Sequence, residues 1–181
     1  MRKLKKILIA TNTQKVLDFF LDHLGKELTE KEIQAFVKIS KSGVNYALKD
    51  LVSSGALYRI KKGRMSFYSL DYKIPSIKQL KILKVIICLE PIIKRLEKLS
   101  SQIILFGSSA HGEDISDSDI DLFIISNFQR DDLEKEIKKV KLKRKIQLIV
   151  KTELGHTELK TKDPDFYEQI QRGIVLWKKK Q

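Results

Sequence analysis

Apolar residues in the first part of the chain recur at helical spacing in three consecutive segments. The first segment covers 16–24, and a glycine follows it directly. In the second, Thr29 and Glu32 have the spacing of a capping box, in which each side chain satisfies a backbone N–H at the other residue. Ser40 caps the third segment, and Gly55 ends it. The pattern predicts three short helices.

A hairpin and then a long helix follow these segments. Residues 56–60 and 65–70 are rich in β-forming residues and flank the basic, glycine-containing turn 61–64. Residues 76–100 return to a helical period, in which Pro91 is expected to kink or divide the helix. We expect this helix either to link two domains or to pack two subunits into a homodimer.

The rest of the chain alternates between strand and helix patterns. Strands are predicted at 102–106, 120–125, 145–150 and 174–177, and helices just after residue 107 and at 131–140 and 166–171. Asp163 is expected to cap the last of these helices. The chain as a whole therefore belongs to the α+β class.

One motif between two of these strands carries the candidate chemistry. Gly107 and Ser108 stand ten residues before Asp119, Ile120 and Asp121, which lead into an apolar strand. Because side chains alternate along a strand, the two aspartates point to one face and repel each other unless a cation lies between them. Carboxylate oxygens suit Mg²⁺, and a glycine lets the backbone approach a phosphate closely. The alternative is a solvated loop, since Asp and Ser are common in turns.

With its spacer and the run 118–122, this motif resembles the signature of DNA polymerase beta-like nucleotidyltransferases, and it is most similar to their small, minimal branch. The resemblance covers about 101–177. It implies a mixed sheet flanked by helices and Mg²⁺ ligated by two catalytic residues, Asp119 and Asp121. It also implies that a nucleoside triphosphate (NTP) is held by Gly107, Ser108 and Ser118.

The chain departs from the family pattern at three positions. The family's third carboxylate stands on the next strand, where this sequence has Gln147. A glutamine is a weaker ligand for Mg²⁺ and cannot accept a proton, so weak turnover is expected. Glu153, just past that strand, is an alternative third ligand. Ser109 and His111 stand where many relatives carry basic residues near the phosphates, and a lone turn histidine is more often solvated.

The charge balance favours a polyanionic partner. Lys and Arg number 36 against 23 Asp and Glu, a net charge of +13, although an ion-pair-rich surface of the thermophile type is the alternative explanation. The apolar part of the N-terminus, 7–10, is too short for a signal peptide, and no apolar run is long enough to cross a bilayer. A single cysteine, Cys88, excludes an internal disulfide. These features favour a cytoplasmic protein that does not associate with membranes.

The helices and hairpin of 15–72 resemble a winged helix-turn-helix domain. In that fold the third helix enters the major groove of double-stranded DNA and the hairpin, or wing, contacts the backbone or the minor groove. The matching positions are Lys41, Ser42, Asn45, Tyr46 and Lys49 on the helix and Lys61, Lys62 and Arg64 on the wing. Winged helices also serve as protein-interaction or dimerisation modules, which is the alternative.

Together these patterns predict a DNA-binding domain at 1–74, a linking or dimerisation helix at 75–100 and a nucleotidyltransferase-like domain at 101–181. The expected reaction is Mg²⁺-dependent transfer of a nucleoside monophosphate from an NTP to a hydroxyl, with release of pyrophosphate. Two alternatives stay open. The transferase domain is catalytically degenerate within a DNA-binding transcriptional regulator, or the chain is an antitoxin-type partner of a small helical toxin-like protein, as the family implies.

Overall fold

The computed structural model describes residues 9–71, 73–115 and 118–179. The chain divides into two compact units, Met1–Lys81 and Ile82–Gln181, which we call the N-terminal and the C-terminal unit. Residues 1–8, which contain most of the segment tested above as a signal peptide, lie outside the described residues. Within the described residues, no helix is both long and apolar enough to cross a membrane.

Between residues 9 and 71, the N-terminal unit forms three helices and a three-stranded antiparallel sheet. Its elements are α1 (Asn12–Leu21), β1 (Leu28–Thr29), α2 (Glu30–Val37), α3 (Lys41–Ser53), β2 (Leu57–Lys62) and β3 (Met65–Leu70). The sheet order is β1-β3-β2, so the first strand pairs with the last strand of the unit. The two-residue strand β1 was not predicted, because a strand this short leaves no alternating pattern to detect.

The ends of these helices are set by side-chain caps. The predicted capping box at the start of α2 is confirmed, since Thr29 accepts from the Glu32 N–H and Glu32 accepts from the Thr29 N–H. The Ser40 cap of α3 is confirmed as well. Helix α1 ends at Leu21, earlier than predicted, because the N–H groups of Asp22 and His23 turn back to the carbonyls of Phe19 and Phe20.

The hairpin turn is shorter than the predicted 61–64. Strands β2 and β3 stay paired as far as Lys62 and Met65, which leaves only Gly63 and Arg64 in the turn. Gly63 has a φ of +61°, a conformation that suits a two-residue hairpin turn and costs glycine little. The two lysines of the predicted turn therefore lie on strand β2.

The C-terminal unit is a four-stranded mixed sheet with helices packed against it. The remaining elements are α4 (Pro75–Leu96), β4 (Gln102–Phe106), α5 (Gly107–His111), β5 (Ile120–Ile125), α6 (Arg130–Lys138), β6 (Ile146–Lys151), α7 (Glu153–Lys162), α8 (Pro164–Gln171) and β7 (Ile174–Lys178). Helix α4 begins before the division between the units. The strand order is β6-β5-β4-β7, with β5 and β6 parallel and the other pairs antiparallel.

Helix α4 is continuous through Pro91, so the predicted division of this helix is wrong. A proline inside a helix removes one backbone hydrogen bond and usually disrupts the turn before it. Here the residues around it, Leu89, Ile92 and Leu96, are fully buried in the core of the C-terminal unit. Burial of each such side chain contributes about 1.5–3 kcal/mol, enough for packing to offset the lost bond.

The sheet separates two apolar layers because its side chains alternate. Ile120, Leu122 and Ile124 face the layer that contains the buried side of α4, whereas Phe123 and Ile125 face the layer covered by α7 and α8. Helix α7, capped by the Thr152 side chain, was not predicted. Asp121 belongs to the same alternating set as Phe123, so its carboxylate is on the side of α7 and α8, at the start of β5.

Candidate functional site

The two aspartates of the motif lie at the start of β5. Asp121 is the second residue of the strand, and Asp119 immediately precedes it. Both are half-buried. In the sheet, Asp121 is the register partner of Phe106 on β4 and of Gln147 on β6. The end of β4, the turn after it and the starts of β5 and β6 therefore lie together at Asp121.

Gly107 approaches the carboxylate of Asp121 closely. Its φ is +67°, which places it in the left-handed region that glycine adopts without strain. A Cβ atom at this position would lie 3.2 Å from Asp121 Cγ and closer still to Oδ2, well inside normal van der Waals distance. Gly107 and Asp121, from the two halves of the sequence motif, are therefore in contact. Any larger residue at position 107 would displace the Asp121 carboxylate.

The electrostatics of the pair are unfavourable without a counter-ion. Burial raises the pKa of Asp121, the Asp119 carboxylate raises it further, and the positive charge of Arg144 opposes both effects. A divalent cation between the two carboxylates would relieve this repulsion, and their hard oxygens are suitable ligands. The donor set fits one such ion. Among the described residues no group of three or more His, Cys, Asp or Glu could hold a metal.

Gln147 lies directly beside Asp121. The two residues are partners on parallel strands, so their side chains point to the same face of the sheet. Gln147 is exposed, and its amide can offer a neutral carbonyl oxygen to a cation but cannot act as a base. The position next to the two aspartates thus carries no negative charge.

Glu153 is at the other end of the sheet, and its expected role as an alternative third ligand is wrong. It lies two residues after the last residue of β6 and accepts a hydrogen bond from the hydroxyl of Ser101, at 2.5 Å. The N–H of Ser101 in turn donates to the carbonyl of Ile125. Four residue steps along β5, about 13 Å at 3.3 Å per step, separate Ile125 from Asp121.

The serines of the motif have different surroundings. Ser108 is half-buried in α5, and its carbonyl accepts from the N–H of Glu113 at 3.0 Å. Ser118 accepts a hydrogen bond from the N–H of Ile115 through its Oγ, at 3.1 Å, and so closes the loop before Asp119. Ser109 is fully buried, and His111 is exposed.

Two charged residues that the sequence analysis missed hold this loop. Arg144 donates to Asp114 Oδ2 at 2.5 Å, and Asp114 is only 2% exposed. The same guanidinium also donates to the buried Ser109 Oγ at 3.0 Å. The available signal was weak: Arg144 is the only arginine in a run of lysines, 138–145, that otherwise reads as a solvated surface.

The sequence model of the polymerase beta nucleotidyltransferase family matches residues 89–181, more than half of the chain. The chain belongs to this family. The family segment starts within α4, earlier than the resemblance recognised from the motif, and it contains the Gly107–Asp121 approach and the strand of Gln147. Members of this nucleotidyltransferase family generally use Mg²⁺.

Other comparisons add little to this assignment. No curated protein is significantly similar to this chain. The solved structure of HmgR from Pseudomonas aeruginosa is similar over 52% of this chain and 39% of that protein, with 18% identity and a TM-score of 0.34. The similarity thus spans well under half of that protein, and at such a TM-score it carries no argument.

The N-terminal unit lies wholly outside the family segment, and its candidate DNA-contacting residues form two groups. On α3, the five candidate DNA-contacting residues line a shallow depression together with Glu30. Tyr46 is 72% exposed there, whereas Asn45 is half-buried and donates to Glu30 Oε2 at 3.3 Å. The Asn45 amide, at a position matched to the major-groove helix, therefore already has an acidic partner.

The second group is on the hairpin. Lys61 and Arg64 are exposed, and within the described residues neither forms an ion pair. Lys62 differs, because its Nζ forms an ion pair with Glu27 and lies 5.3 Å from the centre of the Phe67 ring. A phosphate would have to compete with both contacts, so Lys62 is a weaker candidate for DNA contact than its two neighbours.

Proposed function

We propose that the C-terminal unit binds an NTP together with Mg²⁺ at Gly107, Ser108, Asp119 and Asp121. The observation that carries this proposal is the close approach of the Gly107 backbone to the Asp121 carboxylate, beside a second aspartate whose charge raises the pKa of Asp121. Such a position offers hard oxygen ligands and open backbone next to each other. Membership of the nucleotidyltransferase family supports the same choice.

The expected reaction is transfer of a nucleoside monophosphate to a hydroxyl, with release of pyrophosphate. Asp119 and Asp121 would hold the cation, and Gly107 and Ser108 would hold the phosphates. Bound Mg²⁺ would neutralise the charge that develops on the transferred group. Gln147 cannot take the proton of the attacking hydroxyl, so we expect slow transfer or none. A nucleotide-binding regulator without turnover is the second candidate, and the neutral side chain at Gln147 favours it.

We further propose that the N-terminal unit is a winged helix that binds double-stranded DNA. Its strand order, in which β1 pairs with β3, and its three helices support this fold. Lys41 and Lys49 on α3 and Lys61 and Arg64 on the hairpin are exposed and would neutralise phosphates. Glu30, which lies among the α3 residues, would repel a phosphate and limits how deeply this helix can approach the duplex.

Calorimetry with Mg²⁺ and ATP tests the first proposal. The wild-type chain should bind ATP in a manner that depends on Mg²⁺, and Asp119→Ala/Asp121→Ala should abolish that dependence. The control is Asp131→Ala/Asp165→Ala, which removes the same two charges from exposed positions at the starts of α6 and α8. Equal binding by the wild type and the first double variant would reject the site.

A further inference from the structure

Arg144 is the inward-facing member of an otherwise exposed basic segment. In the run 138–145, Lys141, Lys143 and Lys145 are exposed, whereas the side chain of Arg144 is only 19% exposed. Its acid partner, Asp114, is almost completely buried. An ion pair at this depth loses much hydration, so it persists only where further hydrogen bonds satisfy the guanidinium.

Those further bonds go to the loop that carries Asp119. Arg144 Nε donates to the carbonyl of Ser118 at 2.8 Å, and one terminal nitrogen donates to the carbonyl of Asp119 at 3.2 Å. With Asp114 and Ser109, four of the five N–H groups of the guanidinium are engaged. One side chain thus connects α5, the start of the loop and the end of the loop.

The two peptide planes on either side of Asp119 are held by this segment. The Ser118 carbonyl belongs to the plane before Asp119, and the Asp119 carbonyl belongs to the plane after it. The second plane is held again by its N–H, because Ile120 donates to the carbonyl of Lys145 at 2.9 Å. Fixing both planes fixes φ and ψ of Asp119, and hence the direction of the Cα–Cβ bond that carries its carboxylate.

We propose that Arg144 is a positioning residue that orients the Asp119 carboxylate for the divalent cation. The proposal rests on the metal site proposed above. A planar fork with donors on three nitrogens can reach two carbonyls, a hydroxyl and a carboxylate at once, whereas a lysine presents a single point charge. The charge of Arg144 is therefore not sufficient, and the geometry of the guanidinium is required.

Two measurements test this role. The first is Mn²⁺ binding, monitored by the loss of the free-ion signal in electron paramagnetic resonance. The second is the melting temperature of the chain without a cation. Mn²⁺ accepts the same hard oxygen ligands as Mg²⁺. Arg144→Lys should weaken Mn²⁺ binding at least tenfold. The control Lys143→Met removes one exposed charge from the same segment and should bind as the wild type does.

A double variant separates positioning from stability. Arg144→Met/Asp114→Leu replaces the buried pair by apolar residues, a change that is often neutral or stabilising in other proteins. It should keep the melting temperature within a few degrees of the wild type and still lose at least tenfold in Mn²⁺ affinity. Wild-type affinity in Arg144→Lys or in a folded double variant would overturn the positioning role.

Failure of the metal site itself has a different signature. If the wild type binds no Mn²⁺, or if Asp119→Ala binds it as well as the wild type does, the proposed site is wrong and the role of Arg144 fails with it. If the wild type binds and Asp119→Ala does not, the site stands, and the Arg144 variants alone decide the inference.

Discussion

Replacing Gly107 by alanine tests the contact on which the candidate site depends. The substitution adds one methyl group to a residue whose φ is +67° and whose missing side chain would collide with the carboxylate of Asp121. Two costs arise. The first is the left-handed backbone conformation, which any L side chain resists, and the second is the displacement of Asp121 or of the start of β5.

The size of each cost can be estimated, and a control variant separates the two. A side chain in the left-handed region costs about 1–2 kcal/mol. Overpacking against a neighbour that must shift adds about 1–3 kcal/mol. Gly107→Ala should therefore lower the free energy of unfolding by about 2–5 kcal/mol. The matched control is Gly55→Ala, where φ is +75° and no heavy atom lies within 4 Å of the added Cβ, so only the backbone cost of about 1–2 kcal/mol applies.

Denaturant unfolding measures the free-energy difference, and calorimetric titration with Mg²⁺-ATP measures the consequence for the site. Gly107→Ala should lose cation-dependent binding because Asp121 moves, whereas Gly55→Ala should bind as the wild type does. Equal destabilisation in the two variants, or wild-type binding by Gly107→Ala, would refute the reasoning.

Three other predictions concern neighbouring properties. Gln147→Glu should raise transfer from α-labelled ATP by about 10²–10⁴-fold by supplying a general base, whereas Glu153→Gln should leave the rate unchanged. Burial and the adjacent carboxylate raise the folded-state pKa of Asp121. Without a cation, the free energy of unfolding should therefore be highest at low pH and should decline as the pH rises through that pKa. Asp121→Asn should flatten this decline, as measured by urea unfolding at several pH values. Lys61→Ala/Arg64→Ala should reduce the salt slope of duplex binding by about 0.9 per lost phosphate contact, measured by fluorescence anisotropy.

Each of these has a clear opposing result. An unchanged rate in Gln147→Glu would mean that a missing base at this position does not limit transfer. Parallel pH profiles for the wild type and Asp121→Asn would contradict burial of that carboxylate as the cause of the decline. An unchanged salt slope would indicate that the polyanion does not bind at the hairpin.

Local signals in the sequence predicted local structure well. The capping box of Thr29 and Glu32 and the cap supplied by Asp163 both depend on residues three positions apart, and both are confirmed. Helix α7 was missed because its apolar residues do not form a clear stripe and Gly155 interrupts it. The continuity of α4 through Pro91 was also missed, since it depends on burial that no single segment reveals.

The sequence predicted only those residues of the candidate site that belong to one short motif. Alternation along β5 places Asp119 and Asp121 on one face, and this is readable from the sequence. The contact of Gly107 with Asp121 needs the pairing of β4 with β5. Arg144 and Asp114 are thirty residues apart and meet only through the fold, so their charges read as solvated until burial is known.

Binding and turnover depend on different residues of this site. The backbone at Gly107 and the carboxylates of Asp119 and Asp121 offer what a cation and a triphosphate need, namely close approach and hard oxygen ligands. No carboxylate stands in register with Asp121 on β6 to take a proton from an attacking hydroxyl, because that position is Gln147. Under the proposed function, the chain keeps a nucleotide site and loses rate, and Gln147 is the residue at which we expect the two properties to separate.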